Sequence, residues 1–303
     1  MHEHIQRALY YFEIHLLFAS IVWCAAWMLT SVGRGSATTK YWIWVATLLN
    51  FILPLGAMFD KLFAAHLSWA TPIGVIGGVG VGIAQNAPAA ALWSLGAALM
   101  LMRLCLRMRA DRRDAGAIGR DSRPSFRVQG ITVSFAGPRQ APAVDGVWRP
   151  RILLPDGIER LLSRQELDAV LIHELTHARR RDNLIRLVHE VVLCLLWFHP
   201  LVWLTGARLA LFRELSCDES VIERARGRDL IAALAKLANP EPALLLQAMA
   251  SSFLGLRLAR LSARPRGQRG AANALLAMVF GAVCIAGILG TVAHTACCFV
   301  AKI

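Results

Sequence analysis

Four stretches of this 303-residue chain are long and apolar enough to cross a bilayer, at about 11–31, 41–59, 88–106 and 273–293, and few folds accommodate that. Hydrocarbon offers no water to bare N–H and C=O groups, so such stretches become helices that satisfy their own backbones. Tyr41, Trp42 and Trp44 open the second stretch with aromatic rings of the kind that settle at a membrane–water boundary. Composition agrees: 56% of residues are hydrophobic, 17% are charged, and mean hydropathy is +0.49. That excludes an ordinary soluble globule. The first apolar run, from about Ile14 to Leu29, carries no small-x-small cleavage pattern and reads as a retained anchor.

The net charge of +13 lies in blocks beside the apolar stretches, so it reads as topology and not as a nucleic-acid face. Arg103, Arg107, Arg109, Arg112, Arg113, Arg120, Arg123 and Arg127 follow the third stretch. Arg257, Arg260, Arg264, Arg266 and Arg269 precede the last, with no acid among them. The positive-inside bias then places the central region in the cytoplasm. Counting backwards puts the N-terminus outside, the loop with Arg34 and Lys40 inside, and the loop 60–87 outside. The seven cysteines (24, 105, 194, 217, 284, 297 and 298) form no CxxC pair and read mostly as small buried apolar residues.

Within the central region the hydrophobic period shortens towards two between Ser125 and Pro155, with Gly130, Gly137–Pro138 and Gly146 as turn signals. A small antiparallel sheet is expected. Its last strand is Val147–Leu154, which Arg149 and Pro150 favour as an edge. Ser163-Arg164-Gln165-Glu166 then makes a capping box, in which hydroxyl and carboxylate satisfy orphan amides at a helix start. The helix it opens carries His173-Glu174-Leu175-Thr176-His177, the H-E-x-x-H pattern.

The spacing has a physical reason. Residues four apart stand one above the other on a helix, so both imidazoles reach one ion. Glu174 is turned about a quarter of the way round and reaches a water on that ion instead. Zinc lowers the pKa of such a water to about 7, which makes Glu174 a general base for peptide hydrolysis. Catalytic zinc takes three protein ligands and an open position. The segment Arg213-Glu214-Leu215-Ser216-Cys217-Asp218-Glu219 offers three acids for the third, and composition does not choose among them.

These segments resemble the BlaR/MecR family of membrane metallopeptidases, the transducers of β-lactam resistance. The likeness runs through Asp145–Pro155, Ser163–Glu166, His173–His177, Arg180-Arg181-Asp182-Asn183, Trp197-Phe198-His199-Pro200-Leu201 and Arg213–Glu219. It is strong over 140–222 and only a pattern of spans elsewhere. The resemblance implies Glu214 as the third zinc ligand, Asp218 as its supporting carboxylate, and a gluzincin-like α+β peptidase domain inserted on the cytoplasmic side. The expected organisation is a three-span region at 1–107, a zinc peptidase domain at 108–270, and a final span with a short tail at 271–303. The setting implied is a bacterial inner membrane. The expected partners are the lipid bilayer and a protein substrate such as a winged-helix repressor, without direct nucleic-acid binding; a homodimer is a further expectation. The family's penicillin-binding sensor, with S-x-x-K and K-T-G, has no counterpart after the last span. A trigger other than direct acylation of this chain is therefore expected.

A fifth apolar run, about 184–210, is limited by the metal. His177 and Glu214 must meet at one ion, so the chain between them is expected to leave and return on the same side, as a helix–Pro200–helix hairpin; the alternative is a true fifth span, which would put the C-terminus inside. His199 at that break is read as packing or capping there, and alternatively as a donor to the oxyanion. Two other functions stay open on sequence grounds, a membrane quality-control zinc protease and a non-catalytic zinc-containing signalling scaffold.

Overall fold

A computed structural model describes residues 2–33, 35–52, 87–118, 125–136, 141–237, 252–262 and 270–300. Along the described residues run α1 (His2–Val32), α2 (Ala37–Ile52), α3 (Ala87–Ile118), β1 (Phe126–Val128), β2 (Ile131–Ala136), β3 (Ala143–Asp145), β4 (Arg151–Pro155) and α4 (Ile158–Leu161). They continue with α5 (Arg164–Arg180), α6 (Asp182–Leu195), α7 (Pro200–Glu223), α8 (Gly227–Leu237), α9 (Ser252–Leu261) and α10 (Gly270–Val300). The described residues are thus mainly helical, with one small sheet among them.

Among the described residues three helices are long and apolar enough to cross a membrane, in α1 at His15–Val32, in α3 at Ala91–Ala110 and in α10 at Gly270–Gly287. Leu92, Leu95, Leu106, Leu275 and Met278 stay exposed on them, faces that suit lipid and not water. The second expected stretch appears as α2 as far as Ile52. Its remainder, with most of the loop 60–87, lies outside the described residues. Cys297 and Cys298 fall on the last turns of α10, whose side chains are also outside the description.

Two hydrophobic cores are built side by side. The first is a helical bundle in which Tyr41, Trp44 and Leu48 of α2 meet Val202, Leu209 and Phe212 of α7. Ala26 of α1, Val192 of α6 and Phe280 of α10 join them. Its buried indoles are satisfied by threonines, Trp23 Nε1 on Thr205 Oγ1 at 3.0 Å and Trp44 Nε1 on Thr30 Oγ1 at 3.2 Å. The second core sets Val133, Ile152 and Leu154 of the sheet against Val170 of α5, Leu230 of α8 and Leu261 of α9. Helix α7 belongs to both, giving Leu215 to the first core and Val221 to the second.

The sheet corrects two expectations. Its order is β1-β2-β4-β3, and β2 pairs with β4 in parallel, so it is mixed and not antiparallel. Strand β4 is also central, with β3 as the outer neighbour. The reason is local: Pro150 precedes the first ladder residue, Arg151, so its missing N–H removes no bond from the ladder. Apolar Ile152, Leu153 and Leu154 then gain by burial on both sides. The short, half-exposed β3 takes the edge.

Chain reversal between α6 and α7 is made at residues 196–199. Leu196 C=O accepts from His199 N–H at 2.9 Å, and Pro200 begins α7 with a φ already suited to a helix. Gly206 lets the two helices close up, since a Cβ there would lie 2.3 Å from His189 Cε1. The site helix α5 starts on the expected capping box. Ser163 Oγ accepts from Glu166 N–H at 3.3 Å, and the Glu166 carboxylate accepts from Ser163 N–H at 2.7 Å and from Lys236 Nζ at 2.7 Å. Ser163→Ala should therefore lower stability by about 1 kcal/mol, measurable as an earlier unfolding midpoint of the detergent-solubilised protein.

Candidate metal centre

Helix α5 presents His173 and His177 one turn apart, and α7 runs past them with Glu214. The two Nε2 atoms are 3.2 Å apart, and Glu214 Oε2 lies 3.6 Å from His173 Nε2 and 3.9 Å from His177 Nε2. An ion bound tetrahedrally at about 2.0–2.1 Å would hold such donors roughly 3.3 Å from one another. The three atoms therefore form nearly one face of a coordination tetrahedron, and they are grouped as a site able to hold a metal. Glu174, the next residue after His173, lines the same cavity.

Each imidazole is supported from behind. His173 Nδ1 faces Asp218 Oδ1 at 3.2 Å, and Arg257 of α9 grips Asp218 through Nε and Nη2 at 2.8 and 2.9 Å. His177 Nδ1 lies 2.6 Å from Asp182 Oδ2, and Arg180 grips Asp182 through Nε at 2.7 Å and Nη2 at 2.6 Å. Such partners fix the tautomer and aim of a ligating histidine. Burial would lower the pKa of His173, but the carboxylates of Asp218 and Glu214 outweigh it and push it up to about 9. Burial would raise Glu214, yet His173 beside it, then the charges of His177 and Arg257, hold it well below the usual carboxylate range. Asp182 and Asp218 are likewise held low against their burial, mainly by Arg180 and His173 respectively.

A second cluster, His177 with Asp182 and Cys217, also has ligand-bearing atoms close together. It is already filled by a cation. Arg180 Nη2 sits 2.6 Å from Asp182 Oδ2 and 3.3 Å from Cys217 Sγ, and burial pushes the Cys217 thiol up, away from the thiolate a metal needs. The first cluster is the one that fits.

The cavity beside it measures about 610 Å³. One wall is the edge strand with the residues before it, from Ala141 to Val144; the opposite wall is apolar, from Leu230, Ile231 and Leu234 of α8. Asn183 ties this edge to α6, its Nδ2 donating to Val144 O at 2.9 Å and Gly146 O at 3.2 Å.

The structure thus brings together His173, Glu174, His177, Glu214 and Asp218. It does not bring His199 to them. That residue precedes α7, and Glu214 lies about four turns further along, roughly 20 Å at 1.5 Å per residue. His199 instead packs edge-on to Phe51 at 5.2 Å and meets Ser20 Oγ at 3.4 Å. The oxyanion reading of His199 is withdrawn on that ground. Sequence reasoning assigned no role to Arg180 or Asp182, and it read Arg257 as a topology charge. The acid at Asp182, five residues after His177 where the helix ends, was a usable signal; Arg257 gave none.

Comparison with known proteins covers the same region. A profile of the BlaR1 peptidase M56 family matches residues 89–261, more than half of the chain, and spans every residue of the cluster. The chain belongs to the BlaR1 peptidase M56 family. The "Regulatory protein BlaR1" of Bacillus licheniformis is 41% identical over 88 residues, 28% of this chain. The "Methicillin resistance mecR1 protein" of Staphylococcus aureus is 24% identical over 102 residues, 34% of this chain. The matched stretches span 14% and 17% of those relatives' lengths.

For this M56 member a divalent ion must displace the proton that His173 holds up to about pH 9. Affinity for added metal should therefore rise with pH to about 9, and fall below it by up to about tenfold per unit, in equilibrium titrations of the metal-stripped protein. Asp218→Asn should weaken binding by about 10–100-fold, and His173→Ala should abolish it.

Proposed function

We propose that this chain is a multi-pass membrane zinc endopeptidase of gluzincin type that cuts a cytoplasmic protein as part of a signalling response. The observation that carries this is the triangle of His173, His177 and Glu214 donor atoms, with Glu174 beside it in an open cavity. A purely structural site needs neither a base nor a cavity. Zinc bound there supplies Lewis acidity to a water and to a peptide carbonyl.

The chain's own residues supply the rest. Glu174 takes the proton of the attacking water and returns it to the departing amine. An extended substrate lies along the wall from Ala141 to Val144 and pairs with the backbone there, beside the carbonyls that Asn183 already holds. The apolar wall from α8 receives an apolar side chain of the substrate. Asp218 and Asp182 hold the imidazoles still throughout.

Topology supports a cytoplasmic target. We read four spans, with the peptidase region between the third and the fourth and its arginine-rich flanks on the cytoplasmic side of a bacterial inner membrane. Relatives named as regulatory and methicillin-resistance proteins favour signalling over quality control. A winged-helix repressor is the proposed substrate.

Wild type and Glu174→Gln, expressed in membranes with such a repressor, separate enzyme from scaffold. Both should bind zinc, and the variant should lose cleavage of itself or of the repressor by about 10²–10⁴-fold. Equal cleavage patterns from two zinc-loaded proteins would refute the enzymatic reading.

A further inference from the structure

We infer that Tyr41 is a positioning residue of the metal centre, through which the first turn of α2 sets the aim of the His177 imidazole. The inference rests on the metal site proposed above and concerns its control. Tyr41 is 1% exposed, so its hydroxyl requires a partner inside the protein. That partner is a side chain at the start of α6. It is Asp182 Oδ1, 2.8 Å away, on the carboxylate whose other oxygen meets His177 Nδ1 at 2.6 Å. Helix α2 thus reaches a ligand histidine through one acid, across 141 positions of sequence between Tyr41 and Asp182.

The tyrosine also holds the cation that holds the acid. The Arg180 guanidinium lies 4.0 Å from the centre of the Tyr41 ring while it chelates Asp182. One turn before Tyr41, Thr38 fastens the same end of α2 to α7. Its N–H and its hydroxyl donate to Glu219 Oε2 at 3.1 and 3.3 Å. The hydroxyl also meets Ser216 Oγ at 2.8 Å, and that serine accepts from Arg180 Nη1 at 2.7 Å. The helices that supply His177 and Glu214 are therefore cross-linked by the first turn of α2.

The orientation of a ligating imidazole follows the partner of its second nitrogen, so a shift of this turn is felt at the ion. His173 has no such link, since Asp218 is held by Arg257 instead. Control by α2 acts on one ligand of the pair.

The test uses the full chain in detergent micelles with Co²⁺ as probe, read by visible absorption and by titration. Tyr41→Phe removes one hydroxyl and leaves the ring. It should bind Co²⁺ about tenfold more weakly than wild type, with an altered absorption envelope. Thr47→Val is the control, because Thr47 is equally buried on α2 but bonds only its own helix at Ile43 O, 2.8 Å. It should match wild type. Tyr41→Phe indistinguishable from wild type, or Thr47→Val as impaired as Tyr41→Phe, would overturn the inference. Should Tyr41→Phe not fold, Thr38→Val at the exposed end of the network replaces it; about threefold weaker binding is expected, and unchanged binding overturns the inference. A wild type that binds no Co²⁺, or a His173→Ala form that binds it equally well, would instead remove the metal-site reading itself.

Discussion

Charge held away from water is the constraint on which this structure depends. Asp218 is fully buried and Asp182 nearly so, and an unpaired buried carboxylate costs several kcal/mol. Each is therefore chelated by one arginine, Arg257 or Arg180. Around the two imidazoles the carboxylates of Glu174, Asp182, Glu214 and Asp218 lie among the guanidiniums of Arg180, Arg186, Arg213 and Arg257. Carboxylates flank both nitrogens of His173, Asp218 at 3.2 Å and Glu214 at 3.6 Å, so that imidazole's surroundings favour one more positive charge. Without a metal His173 answers by keeping its proton up to about pH 9. The same demand for charge is what an incoming dication satisfies, and the protonated imidazole is its competitor.

The rest of the fold brings those groups to one place. Two of the three donors lie on α5, and a short capping box with a few apolar contacts suffices to set them. The third arrives only because α7 returns along the first core after the break at 196–199. Gly206 allows that close return, and the threonine–indole bonds hold the bundle that α7 enters. Helix α7 then crosses into the second core, so Glu214 and Asp218 occupy the seam where the bundle meets the sheet and its helices. Leu215 faces one core and Val221 the other, while Asp218 between them faces His173. A helix confined to either core could not serve both.

What the sequence displays and what it conceals divide along contact range. The cap at Ser163, the paired histidines, the break before Pro200 and the i, i+4 pair Glu214 and Asp218 are all local patterns, legible within one or two turns. Strand pairing was less legible. Arg149 and Pro150 argued for an edge, but both precede the ladder, and the burial of Ile152 to Leu154 decided the matter. Choosing Glu214 as the third donor needed family resemblance, because three acids within six residues carry equal chemistry. Arg257 and Tyr41 were legible as charge and as aromatic ring but not as parts of the site. Their partners, Asp218 and Asp182, are 39 and 141 residues away, and neither pairing leaves a periodic trace.

The two supporting acids are not equivalent, and the difference gives the site a direction. Asp218 is held by an arginine from α9, which packs with the sheet-side core. Asp182 is held by Arg180 and by a tyrosine of α2, which packs in the helical bundle. Each core therefore orients one histidine. An ion held by both imidazoles and Glu214 would resist separation of the cores, and a displacement of the cores would change how the imidazoles are aimed. Metal affinity and the relative placement of the two cores would then be linked quantities, each changing the other by the same factor. That reciprocity would let a rearrangement among apolar helices reach the proposed metal centre at their border.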